Sequence, residues 1–191
     1  MILKGNEDLR VQKTIKGIKT AFEELICEKD YVKITVKELC DRARINKKTF
    51  YHYYPALDDL LHEMQMELSQ GYIEKVKHYK LPEEFDKVNR EFFLYSASQG
   101  MSYEKITVSG DYDYIRNKMI GKVFDATWKQ SKRFQKLSPF YQELVMGYIH
   151  SVSVGCYKQW VADGKKVPIE EIVEASNKLL CDGINGFFSK K

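Results

Sequence analysis

Between residues 7 and 29 the apolar positions Val11, Ile15, Ile18, Phe22, Leu25 and Ile26 recur in steps dominated by three and four. That spacing draws one apolar stripe along a helix, and Asn6 or Asp8 can cap its start. The stretch "KDYVKIT" interrupts the pattern. Thr35 followed by Glu38 then reads as a capping box, opening a helix over 36–43 that turns Val36, Leu39, Cys40 and Ala43 inward. Asn46 is a good cap for a third helix over 47–53, which Pro55 stops. Leu57, Leu60, Leu61, Met64 and Leu68 mark the apolar face of a fourth helix reaching to about residue 79. Two short helices joined by a tight turn and flanked by longer ones form a helix-turn-helix, with Ala43, Ile45 and Phe50 packed at the elbow.

Past Lys80 the pattern predicts helices over 82–98, 102–108, 112–133, 138–162 and 168–189. Breaks fall at Gly100–Met101, Ser109–Gly110, Leu137–Pro139 and "DGKKVP". No strand pattern or internal repeat competes, so the expected fold is all-α with about nine helices.

Composition narrows the functional classes. The chain of 191 residues is 43% hydrophobic and 30% charged, the balance of a soluble globular protein. It contains no run of about 18 apolar residues, and "MILKGNEDLR" lacks the apolar region of a secretory signal. A cytoplasmic protein without membrane contact is expected. Cys27, Cys40, Cys156 and Cys181 are scattered and read as reduced thiols, and the four histidines form no ligand spacing, so no metal or cofactor is expected. No nucleophile–base pair, HExxH motif or Gly-rich phosphate loop points to an enzyme. Charge adds a positive clue. Residues 1–53 hold 12 Lys/Arg against 8 Asp/Glu, a net of +4, which is the net charge of the entire chain. A basic head on a neutral body suits binding to a polyanion.

The third helix mixes two kinds of residue. Phe50 and Tyr54 lie four apart and face the core, leaving Lys47, Lys48, Tyr51 and His52 on other faces. In a helix-turn-helix the first residues of the second helix meet base edges in the major groove. Lys47 and Lys48 stand there, able to donate to guanine or neutralise phosphate. Thr49 can touch a thymine methyl or a base edge. Tyr51 can pack on sugar while its hydroxyl meets phosphate, and His52 can gain charge beside a phosphate. Thr35 and Asn46 expose two helix N-termini suited to anions.

The segment "ITVKELCDRARINKKTFYHYYPALDDLL" resembles the DNA-binding motif of the tetracycline-repressor (TetR) family of bacterial transcription regulators. The resemblance spans about Val11 to Leu68. It rests on Ile34-Thr35-Val36, on Ala43-x-Ile45-Asn46 at the elbow, on Thr49-Phe50-Tyr51-x-Tyr53-Tyr54, and on Asp59-Leu60-Leu61. It implies a DNA-binding domain over 1–55, a helical effector-binding and dimerisation domain over 56–191, and phosphate contacts from Tyr51 and Tyr53. Partial burial against the first helix is the competing role for Tyr53. Two positions depart from the family pattern. Arg44 stands where glycine is common at the elbow, which implies a strained turn or a phosphate contact. Leu57 stands where a phosphate-binding lysine is common, so that contact is expected to be lost or supplied from elsewhere.

The implied function is a homodimeric repressor that binds a palindromic duplex operator and leaves it when a small effector binds. A family-type DNA binder without a ligand is the alternative. Phe92, Tyr95, Met119, Phe124, Trp128 and Tyr148 are candidates to line the effector cavity, with His150 as a polar anchor, although such residues also build ordinary cores. The cavity is expected between the fourth helix and those over 112–133 and 138–162, and its neutral surroundings favour a largely apolar effector. Gly147, Ser151 and Gly155 recur four apart and would let helices approach closely, either across a dimer interface or within the chain.

Overall fold

The computed structural model describes residues 8–108 and 113–188, apart from the side chains of 113–118, 186 and 187. Among these residues there are ten α-helices, short 3-10 turns and no strand, so the expected all-α class holds. Asn6, Glu7, the Ser109–Gly110 break, Tyr112 and Ser189 lie outside the described residues.

The head is built as its apolar spacing dictates. Helix α1 (Leu9–Glu28) is capped by the Asp8 carboxylate, which accepts the Arg10 N–H at 2.7 Å. Its stripe of Ile15, Ile18, Phe22, Leu25 and Ile26 is fully buried. A single 3-10 turn, Tyr31–Lys33, fills the interruption. Helix α2 (Val36–Ala43) starts on Thr35, whose hydroxyl accepts the Glu38 N–H at 3.2 Å. Only this half of the expected capping box forms, because the Glu38 carboxylate pairs with Lys29 at 2.5 Å instead. Helix α3 (Lys47–Tyr53) starts on Asn46. Helix α4 (Leu57–Val76) opens with the Asp59 carboxylate accepting the Ala56 N–H at 3.0 Å. The head core does not stop at residue 55: Leu60, Leu61 and Met64 of α4 are buried in it.

The body comprises α5 (Phe85–Ala97), α6 (Met101–Val108), α7 (Asp113–Ala126), α8 (Lys132–Gln135), α9 (Pro139–Ala162) and α10 (Ile169–Phe188). Helix α4 runs on from the head to pack against α5 and α7, while α10 packs against α5 and α9. The helix expected over 112–133 is broken. At Thr127 the backbone turns out of helix (φ −122°, ψ −83°), and the threonine hydroxyl donates back to the Val123 carbonyl at 2.7 Å. A 3-10 turn, Trp128–Gln130, leads to Ser131, which caps α8. The break has a packing reason. Trp128 and Phe134 are both buried, with rings 5.8 Å apart. Six residues apart on one straight helix they would project from different faces.

Helix α6 bridges the two parts. It packs along α1, Ile106 is buried in the head core, and the Lys105 ammonium donates to the Cys27 carbonyl at the end of α1 at 2.8 Å.

Candidate nucleic-acid interface and body cavity

The elbow between α2 and α3 is closed by backbone bonds. Arg44 N–H donates to Asp41 O at 3.3 Å, and Ile45 N–H donates to Cys40 O at 3.0 Å. This is the Schellman pattern, which needs a left-handed residue after the helix. Arg44 supplies it at φ 53°, ψ 44°, at a cost of about 1 kcal/mol relative to glycine. The strain expected from its sequence is therefore present, and its side chain is exposed. Asn46 Oδ1 accepts both the Thr49 N–H at 2.8 Å and the Thr49 hydroxyl at 3.1 Å. Thr49 is thus committed to the cap through its own proton, and only its methyl and its oxygen lone pairs can serve a base.

Phe50 is completely buried and Tyr54 nearly so. Lys47, Lys48, Tyr51 and His52 are exposed on the remaining faces, and Tyr53 is half-buried against the head core. Tyr51 projects stiffly, its ring edge-on to Phe50 at 5.5 Å. His52 and Tyr53 support one another at 4.9 Å. Thr35, Asn46 and Arg44 are exposed near the helix ends, so the nine candidates divide among the start of α2, the elbow and α3.

Ion pairing occupies several other cations of the head. Lys19 pairs with Glu63 and Glu67, Lys29 with Glu38, Lys33 with Asp30, and Arg42 with Glu28 and Glu24. The Arg42 hydrogen bond holds the Glu28 carboxyl below its ordinary range. Lys37, Arg44, Lys47 and Lys48 make no ion pair among the described residues. Lys37 was not among the sequence candidates; its place in the first turn of α2, two residues after Thr35, was the available signal. Leu57 is half-buried against the head core and supplies no cation.

The end of α3 is also tied to α4 and, through it, to α1. The Tyr54 hydroxyl donates to Glu63 on α4 at 3.0 Å, and Glu63 pairs with Lys19 on α1 at 3.1 Å. Glu63 is buried, so separating it from both partners would leave a costly desolvated charge. Tyr31 on the loop donates to Asp58 at the start of α4.

In the body a cavity of about 110 Å³ lies among α4, α5, α6, α7 and α9. Phe92, Tyr95, Met119, Phe124, Trp128 and His150 all line it. Tyr148 does not. It lies across the outer seam between α9 and α10, with its hydroxyl donating to Leu179 O at 2.6 Å and standing where a Cβ on Gly183 would be, 2.6 Å away. Among the described residues no Asp, Glu, Lys or Arg lines the cavity. Beneath it sits a buried polar floor: Asn89 donates to Ser176 at 3.0 Å and to Asn177 at 2.8 Å, and accepts from Ser153 at 2.9 Å. None of these floor residues was singled out by sequence, since lone Asn and Ser residues within helices carry no distinctive pattern.

Gly147, Ser151 and Gly155 all face outward, and a Cβ on either glycine would meet nothing. They share that face of α9 with Leu144, 51% exposed, beside Leu179 of α10, 61% exposed. Close packing within the chain therefore does not explain the small residues.

A strained but bonded elbow, two capped helix starts and an unpaired basic face define a helix-turn-helix DNA-binding protein. Residues 18–64 match the family model described as bacterial regulatory proteins, tetR family. The head therefore carries the DNA-binding sequence of the tetR family, and the chain shares its fold with regulators of known structure. A TetR transcriptional regulator from Streptococcus agalactiae 2603V is similar over 90% of this chain and 95% of its own, with TM-score 0.69 and 18% identity. The regulator FadR from Bacillus subtilis, in complex with stearoyl-CoA, matches over 90% and 98% with TM-score 0.67 and 18% identity. FadR from Bacillus halodurans matches over 87% and 94% with TM-score 0.66 and 16% identity. At these identities the likeness is one of fold. No curated protein matches the sequence. Among the described residues no helix is long and apolar enough to cross a membrane.

Proposed function

We propose that the chain is a homodimeric repressor that binds a palindromic DNA operator through α2 and α3 and leaves it when a small molecule enters the body cavity. The observation that carries the reading is the group of four unpaired cations beside two capped helix N-termini. Cations without partners and helix N-termini both await an anion, and phosphate supplies it. Lys47 and Lys48 at the start of α3 read base edges, while Lys37, Arg44, Tyr51, His52 and Tyr53 hold the backbone. Two copies joined through the Leu144–Ser151–Leu179 face would present two recognition helices to successive major grooves, roughly 34–36 Å apart.

Release needs a path from cavity to head, and α6 offers one. Tyr103 lines the cavity, while Ile106 and Lys105 on the next turn grip the head core and the end of α1. A ligand that binds better when α6 is displaced would shift the population toward a head spacing that misfits DNA. The FadR complex with stearoyl-CoA supports a ligand role for a body of this fold. The test is operator release by the full chain. A molecule that binds the cavity should lower operator affinity, and DNA should lower affinity for that molecule by the same factor. Independent binding of the two would remove the effector from the account and leave a ligand-free DNA binder.

A further inference from the structure

The cavity wall has a polarity of its own. Most of its described hydroxyl and amide protons are already spent inside the protein. Tyr72 donates to Val88 O at 3.0 Å, Tyr95 to Leu68 O at 2.8 Å and Thr127 to Val123 O at 2.7 Å. Ser69 donates to Met66 O at 2.9 Å and Ser153 to Asn89 Oδ1 at 2.9 Å. Both amide protons of Asn89 go to Ser176 and Asn177. Burial holds the Tyr72 phenol protonated far above its ordinary range. A hydroxyl that has given away its proton still has lone pairs, so what these groups retain is the capacity to accept. Among the described lining residues the Ser96–Tyr103 pair, where one hydroxyl donates to the other at 3.1 Å, the His150 ring and the Trp128 indole N–H stand outside this pattern.

We infer that the cavity selects a small neutral hydrogen-bond donor of about one aromatic ring, such as a phenol or an N–H heterocycle. The inference rests on the reading of this cavity as the effector site. Three observations set the class. With no Asp, Glu, Lys or Arg among the described lining residues, a carboxylate or an ammonium would be buried there without a counter-charge. The aromatic wall of Phe85, Phe92, Phe124 and Trp128 matches a flat apolar body. The spent donors discriminate within the neutral molecules. A ligand that brings an O–H or N–H finds oxygen lone pairs on most sides, whereas one that brings only a carbonyl or ether oxygen faces mainly other acceptors and recovers less of its lost hydration. Size excludes the long amphiphiles. At about 110 Å³ the cavity falls well below the roughly 300 Å³ at which drug-sized pockets begin.

The experiment is calorimetric titration of the full chain with phenol, anisole and benzoate, repeated on Val154→Phe. Val123→Phe, from the α7 wall, replaces that variant if it does not keep the wild-type helix content. The expected result is one phenol per chain, bound about tenfold more tightly than anisole, the worth of one well-made hydrogen bond. Benzoate should not bind, and the filled variant should lose phenol. Equal affinity for phenol and anisole would overturn the donor selection. Tighter binding of benzoate, or no saturable phenol binding, would overturn the ligand class, and phenol retained by the filled variant would place its site elsewhere. Operator release is read separately on the same samples. Phenol bound as expected without any loss of DNA affinity would sink the effector role and leave the ligand class standing.

Discussion

The side chains of α3 divide their labour between holding and reaching. Lys48 is exposed and unpaired, so Lys48→Ala should weaken operator binding and lower the slope of log affinity against log salt by about 0.9 if it neutralises one phosphate. An unchanged slope with unchanged affinity would remove it from the contact list. Tyr51→Phe should cost less affinity than Tyr51→Ala, since the ring held edge-on to Phe50 keeps its place; equal losses would give the whole effect to the hydroxyl. Tyr54 acts through protonation instead. Burial, with the Glu67 charge second, raises its phenol from 10.0 to about 12. The folded state therefore holds the proton more tightly than the unfolded chain. The resulting stability is complete below pH 10 and drains as pH rises toward 12. Denaturant unfolding at stepped pH should show Tyr54→Phe with a shallower alkaline loss than the parent, whose Tyr72 and Tyr157 are raised by burial as well. Identical slopes would contradict this. At this scale the sequence was readable where periodicity decides, as with Phe50 in and Lys48 out. It was silent on Glu63, because a buried charge follows no period and only three-dimensional neighbours such as Tyr54 and Lys19 explain it.

Among the elements, the elbow is the place where local preference and tertiary demand disagree. Arg44 occupies a left-handed conformation that glycine adopts freely, so Arg44→Gly should raise unfolding stability by up to about 1 kcal/mol while weakening operator binding through the lost cation. A variant no more stable than the parent would mean that the Arg44 side chain repays its strain in the free protein. Helices α2 and α3 were legible to the residue, because Thr35, Asn46 and Pro55 punctuate them explicitly. The break at Thr127 was not. Thr127 and Ser131 are tolerable in helices, and what ends α7 is the requirement that Trp128 and Phe134 share one core. The cavity shows the same limit: aromatic residues at helical spacing were visible, but Tyr148 shares that spacing and ends on the outer face.

In the whole molecule the two roles proposed for the neutral body, effector binding and dimerisation, leave different marks on it. The outward face of Gly147, Ser151, Gly155, Leu144 and Leu179 is an exposed, largely apolar strip that no described residue of the chain covers. Ser151→Arg should yield a monomer by sedimentation, with helix content intact and operator affinity greatly reduced, because both half-sites must be held at once. A variant that stays dimeric would move the interface elsewhere. The central claim, that α3 reads duplex DNA as one of a symmetric pair, is tested most directly by selection from a random duplex pool with the full chain. The account expects a palindrome with half-sites about one helical turn apart, enriched by the parent and lost by the Lys47→Ala, Lys48→Ala double variant. Enrichment of an asymmetric site, or of the same palindrome by the double variant, would contradict it.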